Sequence, residues 1–328
     1  MAGRSSRSGG NSNERIQLLV EQKLGEGLQY EALQLYRGVV SRKSARGNDN
    51  AALTIAEQGI GVLLARGYAD SATELGNVLV GILNDHELPV TEERLELFRR
   101  VNAKYEDAKR AAVLAEEDRR TAAQEGQGGV GEVEEGKEAG RGMYSVGVLQ
   151  GRFLKLAVAW TAARGQRLSG DPGLCGLLGR CLWNEGDLER GTRYLVLGER
   201  PQELCDLILQ DVSDANAREL AVAKGVLQFA SKASLRDANA LLAAYKTQTG
   251  GKQPTKGVLG FCAMLLKTCE YDATPVFQKL LDAYQADLSK DEALFGSVES
   301  IAMTYFNLRL RPPSMLDNIM GMLGGMPK

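Results

Sequence analysis

A glycine followed five residues later by a second small residue recurs between amphipathic stretches of this chain: Gly27 and Ala32, Gly67 and Ala72, Gly186 and Gly191. Glycine permits a tight turn, and a small residue one helical turn further on lets two helices approach closely. The fullest example is 170–198, GDPGLCGLLGRCLWNEGDLERGTRYLVLG. Asp171 is placed to cap a first helix, with Pro172 at its first position. Leu174, Leu177, Leu178, Cys181 and Leu182 then recur at helical spacing. Beyond Glu185, Gly186 and Asp187, a second helix carries Leu188, Tyr194, Leu195 and Leu197, with Asp187 as its cap. A pair of this kind cannot bury both stripes by itself and needs neighbours on each side.

The first two turns lie 40 residues apart, within the period of about 34 to 47 residues that helical-repeat arrays use. Strand signals are almost absent, and helix, glycine-containing turn, helix is the pattern throughout. The fold class expected is therefore all-α: an α-solenoid of stacked antiparallel helix pairs, tetratricopeptide-like with irregular repeats. Residues 1–13 are small, basic and polar and read as a disordered arm, and helical periodicity runs from Glu14 to about Arg120. In 121–142, seven of 22 residues are glycine and five are glutamate. That composition cannot bury enough apolar surface to offset the entropy of ordering, so a disordered insert is expected there. Helices resume over 143–311. The tail, 312–328, follows Pro312 and Pro313 and carries Met315, Leu316, Ile319, Met320 and Leu323 on one face. It either closes the end of the array or offers an adaptable apolar knob to another helix.

Composition removes several function classes. A formal charge of −2 over 328 residues gives no overall pull toward nucleic acid or anionic membrane. No stretch approaches the roughly 18 apolar residues of a membrane span, and no signal-peptide block follows Met1. Five scattered cysteines lack the paired spacing of a zinc or redox site and fit reduced thiols in a cytosolic or nuclear compartment. His86 is the lone histidine, so a catalytic triad or a multi-histidine metal site would have to be built around it; a solvated or helix-capping role is the expectation. The glycines of 170–179 follow no strand and precede no Gly-Lys-Ser/Thr, which excludes a phosphate cradle. No catalytic residue, cofactor or metal site is expected.

Local charge is more informative. Arg37, Arg42, Lys43 and Arg46 place four cations within ten residues without an acid among them. They read either as cations favoured by a helix C-terminus or as a docking patch for an acidic partner. Tyr30 and Tyr36 lie nearby, and Tyr with Arg is common at binding hot spots, although helix packing accounts for tyrosines equally well.

Four passages together resemble a known family. They are YEALQLYR (30–37) with the basic stretch after it; FLKLAVAW (153–160) with the 170–198 pair; AVAKGVLQFASKASLRDANALLAAY (221–245) with VLGFCAMLLKTCE; and YFNLRLRPPSMLDNIMGMLGG (305–325). Their order is similar to that in the α-solenoid scaffold family of the guided-entry (GET/TRC) pathway for tail-anchored membrane proteins, the pathway's fourth factor. The resemblance implies a scaffold without catalytic activity. Its N-terminal half, 14–120, would dock a dimeric targeting ATPase; its C-terminal half, 143–311, would hold a ubiquitin-like-domain adaptor. A co-chaperone and tail-anchored clients would be indirect partners. Carried residue by residue, the ATPase surface would include Tyr30, Arg37, Arg42 and Lys43. Glu74 stands where relatives commonly carry a regulatory acid, often aspartate. The adaptor surface would include Phe261, Leu265, Leu266, Tyr305 and Phe306. A helical-repeat adaptor of another cytosolic complex is the alternative.

Overall fold

The computed structural model describes residues 10–125, 145–250 and 257–310. Among them are fourteen α-helices and no strand: α1 (Gly10–Gly25), α2 (Gln29–Ser44), α3 (Asp49–Ala65), α4 (Ala69–Asp85), α5 (Glu92–Glu125), α6 (Val146–Arg164), α7 (Pro172–Asn184), α8 (Leu188–Leu197), α9 (Pro201–Asp211), α10 (Ala215–Ser231), α11 (Leu235–Gln248), α12 (Gly257–Glu270), α13 (Thr274–Leu288) and α14 (Glu292–Phe306). The all-α expectation holds. Two boundaries shift: α1 starts at Gly10, inside the stretch expected to be an arm, and α5 runs to Glu125, five residues into the expected insert. Residues 1–9, the rest of that insert and the methionine-bearing tail lie outside the described residues.

The turn chemistry explains the pairing. Eight connections close alike, with a left-handed residue at Gly27, Gly47, Gly67, Glu87, Gly186, Glu199, Ala233 and Asp272. The next amide donates back to a carbonyl five residues earlier, as from Tyr68 to Leu63 at 2.9 Å and from Ser234 to Phe229 at 3.1 Å. Such a closure satisfies carbonyls left open at a helix end and sends the chain back along its own path. Five residues after the turn glycines stand Ala32, Ala52 and Ala72, all fully buried. Gly191 serves α8 in the same way: a Cβ there would lie 3.0 Å from the backbone nitrogen of Trp183 on α7. Side-chain caps form where aspartates anticipate them, Asp171 accepting from Leu174 N at 3.0 Å and Asp187 from Arg190 N at 3.2 Å.

The chain divides into two compact units, Met1–Gly191 and Thr192–Lys328. The division falls inside α8, not at the glycine-rich insert, because α6 packs on α4 and α5, and α7 on α5 and α6. In unit 1, α2, α4 and α6 lie side by side in one layer and α3, α5 and α7 in the other. An aromatic cluster joins α5 to α6: Phe98 sits 5.6 Å from Phe153 and 5.5 Å from Trp160, ring to ring, and Tyr105 sits 5.8 Å from Phe153. Tyr105 ties this cluster to α4 through a 2.7 Å hydrogen bond with Thr73. Unit 2 is built differently. There α10 touches α9, α11, α12 and α14, and Lys224 of α10 reaches Asp291, the cap of α14, at 2.6 Å.

Candidate functional site

Helix α2 turns two faces to different surroundings. Ala32, Leu33, Tyr36, Val39 and Val40 point into unit 1, and burial pushes the Tyr36 phenol up to about 12. Tyr30 is 66% exposed, so of the two tyrosines only Tyr30 is available to a partner. Outward with it are Arg37, Arg42, Lys43 and, just past the helix end, Arg46. The Arg42 side chain folds back along the helix, and its guanidinium lies 3.2 Å from where a Cβ at Gly38 would stand. Gly38 thus leaves room for a second guanidinium one residue from Arg37, following the N-terminal tilt of helical side chains.

Charge on this face is unevenly compensated. Glu31, the acid in the first turn of α2, is drawn to Lys23 of α1 at 2.9 Å, and this contact raises the lysine's pKa. Glu74 on α4 approaches Arg37 at 3.6 Å, across the side-by-side packing of α2 and α4. Among the described residues, no carboxylate lies within 4 Å of Arg42, Lys43 or Arg46. The structure therefore brings Arg37 and Glu74 together and leaves Arg42 and Arg46 exposed and Lys43 half-buried, without an acid close by among the described residues.

The end of α2 is clamped by groups that stand far apart in the sequence. His86, at the C-terminus of α4, contacts Asp49 of α3 through Nδ1 at 2.7 Å. Ser44, the last residue of α2, donates to the same carboxylate at 3.1 Å, and its oxygen lies 3.4 Å from His86 Nε2. Histidine, aspartate and serine thus meet, but the hydroxyl is committed to the carboxylate rather than to the imidazole. An activated nucleophile needs the opposite arrangement. The group fastens three helix ends and fixes where the basic C-terminus of α2 points.

Other contacts tie α3 to α5 and α5 to α6 in the same manner, one at the surface and one partly buried. Arg100 of α5 forks onto Glu57 of α3 with two 2.8 Å hydrogen bonds, and that fork holds the glutamate below its ordinary pKa. Gln150 of α6 donates to Asn102 at 2.7 Å and to Glu106 at 2.6 Å.

The five cysteines are all buried. Burial pushes the thiols up, Cys205 to about 11 and Cys175, Cys181 and Cys269 to about 12, away from the thiolate form that reactivity requires. Among the described residues no group of three or more His, Cys, Asp or Glu is placed to hold a metal ion, and no helix is long and apolar enough to cross a membrane.

The second set of expected site residues is placed otherwise than a docking surface requires. Phe261, Leu265 and Leu266 on α12 are at most 1% exposed. Phe261 packs on Tyr284 with ring centroids 5.5 Å apart, and Phe306 stacks on Phe277 at 4.4 Å. Tyr305 is half-buried, its hydroxyl enclosed without a hydrogen-bond partner among the described residues. These side chains form the interior of unit 2 in the free chain. The apolar groups that α12 and α14 expose are Met264 and Met303, with Tyr271 and Val276 exposed near the turn between α12 and α13.

Comparisons with known proteins agree with this architecture. The model of the GET4 family, Golgi to ER traffic protein 4, matches residues 46–326, which takes in Glu74 and unit 2 and begins just past Lys43. Protein GET4 of Arabidopsis thaliana is 26% identical over 309 residues, 91% of this chain and 92% of that protein. The Golgi to ER traffic protein 4 homolog of Dictyostelium discoideum is 22% identical over 319 residues, covering 95% and 90%. The Homo sapiens homolog is 22% identical over 333 residues, covering 98% and 89%. The crystal structure of C. therm. Get4 superposes with a TM-score of 0.70 at 23% identity over 96% of each chain, so the two share one helical-repeat fold.

Proposed function

This chain belongs to the GET4 family, which implies a role in the GET pathway of tail-anchored protein targeting, and on that premise we propose that it is a cytosolic, non-catalytic scaffold linking a targeting ATPase to a ubiquitin-like-domain adaptor. The exposed face of α2 is the ATPase-docking surface, with Tyr30, Arg37, Arg42 and Lys43 as its contacts and Glu74 at its edge. Unit 2 holds the adaptor, which brings a co-chaperone and its tail-anchored client. Because Phe261, Leu265, Leu266 and Phe306 are interior, they act by shaping unit 2, and the adaptor meets exposed groups such as Met264 and Met303. Holding both partners on one chain raises the effective concentration for client transfer. If the scaffold favours the client-ready state of the ATPase, it must bind that state more tightly than the others.

The observation that carries this reading is the cluster of outward cations on α2, of which only Arg37 meets a carboxylate among the described residues, beside an exposed tyrosine. Exposed charges of this sort act chiefly on association rate and on salt dependence. Reversing two of them, Arg37→Glu with Arg42→Glu, is expected to weaken ATPase binding by about tenfold or more at low ionic strength. The loss should shrink as salt is added, and adaptor binding should not change. A salt series in which the double variant matches the wild type would remove α2 from the docking surface.

A further inference from the structure

Helix α14 is the last described element, and one of its sides is left uncovered by the described chain. It packs on α10 and, more sparingly, on α13. Ala293, Gly296, Ser300, Met303, Thr304 and Asn307 share another side by their helical spacing, and each is exposed or half-buried. No charge stands on that face; Glu292 and Glu299, the two charged residues of the helix, lie at its edge. An end helix without a further neighbour ordinarily presents a polar outer surface. Here Met303 is 46% exposed, and a Cβ at Gly296 would meet nothing within 4 Å. The hydroxyls on this side are already committed. Ser297 donates to the Ala293 carbonyl at 3.0 Å, Ser300 to Gly296 at 3.0 Å and Thr304 to Ser300 at 2.8 Å. Covering the face would therefore strand no donor.

The chain leaves α14 in a direction that suits such a cover. Asn307 is left-handed, with φ 53°, and the Leu308 amide donates to the Ala302 carbonyl at 3.0 Å. At Gly27, Gly47, Gly67, Ala233 and Asp272 a left-handed residue likewise ends a helix, and the next helix packs on the one before. Residues 311–328 lie outside the described residues, and their sequence carries the marks of one more helix. Ser314 and Asp317 have the spacing of a capping box just after Pro313. Met315, Leu316, Ile319, Met320 and Leu323 then share one side, and Gly324 stands where a helix ends. Asp317 is the one charge between Pro312 and Gly325. A helix over 314–324 would be about 16 Å long, against about 21 Å from Ala293 to Asn307, so it fits alongside.

We propose that residues 314–324 form a helix that seats its apolar side on the uncharged face of α14. Met303 is then open to an adaptor only when this segment gives way, but the seat itself does not depend on what unit 2 binds. Thiol labelling of the full chain tests it, since the five native cysteines are buried. Ser300→Cys places a reporter on the seat, and Ala243→Cys places one on an exposed position of α11, which does not pack on α14. With each rate taken relative to the denatured chain, position 300 should label at least about tenfold more slowly than position 243. Leu316→Glu with Met320→Glu should restore fast labelling at 300 and leave 243 unchanged. Gly296→Glu should restore it as well; a Cβ there touches nothing in the described chain, so its effect reports on the occupant. Equal labelling at 300 and 243 in the otherwise unaltered chain would overturn the proposal. So would slow labelling that survives the Leu316 and Met320 changes, which assigns the cover to another segment. Slow labelling that fades on dilution would assign it to a second copy of this chain, with the same result.

Discussion

In unit 1, α2, α3, α4 and α5 each pack on helices one or two places away in the chain, whereas in unit 2 α10 gathers α9, α11, α12 and α14 around itself. Both arrangements bury amphipathic stripes that no helix pair could bury alone, yet they distribute stability differently. A stack with near-neighbour contacts behaves as a sum of local terms and loosens from its free end. A hub couples everything it touches, so loss of one packing site is felt by all its neighbours. The proposed docking face lies on the stacked unit, where a repeated geometry sets α2 beside α4 and places Arg37 near Glu74. The interior aromatics expected to meet an adaptor are instead spent on cohesion in the hub.

The largest expected effect separates the two designs. Phe229, buried on α10, and Leu33, buried on α2, are each 1% exposed. Phe229→Ala should cost about 3–5 kcal/mol and Leu33→Ala about 2–5 kcal/mol. The cysteines report where each loss goes: Cys175 and Cys181 lie in unit 1, and Cys205, Cys262 and Cys269 in unit 2. With Phe229→Ala, labelling of the three unit 2 thiols should accelerate together. With Leu33→Ala, amide exchange should rise in α1 and α2 while Cys175 and Cys181 stay protected. Concerted exposure of both unit 1 thiols by Leu33→Ala would show that the stack is as cooperative as the hub.

A smaller effect concerns the turns. Unit 1 closes three of its hairpins with Gly27, Gly47 and Gly67, while unit 2 makes the same left-handed closure at Glu199, Ala233 and Asp272. A non-glycine residue there costs about 1 kcal/mol or more. Ala233→Gly should therefore raise the melting temperature, and Gly67→Ala should lower it, each by about 1 kcal/mol in stability. Thermal unfolding of the two variants checks the sign. A destabilised Ala233→Gly would mean that the Ala233 methyl packs usefully enough to outweigh its backbone strain.

These turns also explain what could be read from the chain beforehand. Gly27, Gly67 and Gly186 are visible because glycine marks the left-handed position, and Gly47 completes a 20-residue spacing that inspection at a 40-residue period passes over. Glu87, Glu199, Ala233 and Asp272 carry no such mark, since the backbone accepts strain there that the residue type does not advertise. The outward cations of α2 were legible because charge is rarely buried. The adaptor set was not: VLGFCAMLLKTCE is apolar on nearly every side, and periodicity cannot tell which apolar face meets the core. Only the packing on α10, α11 and α13 shows that Phe261, Leu265 and Leu266 turn inward and Met264 outward. The Ser44, Asp49 and His86 clamp was hidden because its members come from three helices and meet only when the turns close.

The proposed function assigns the two units to different partners. Hydrogen exchange on the full chain, alone and then with the targeting ATPase or the ubiquitin-like adaptor, tests it most directly. The ATPase should slow exchange in α2 and α4 and leave α12 and α14 unchanged, and the adaptor should do the reverse. Protection of the same helices by both partners, or of α12 and α14 by the ATPase, would contradict it.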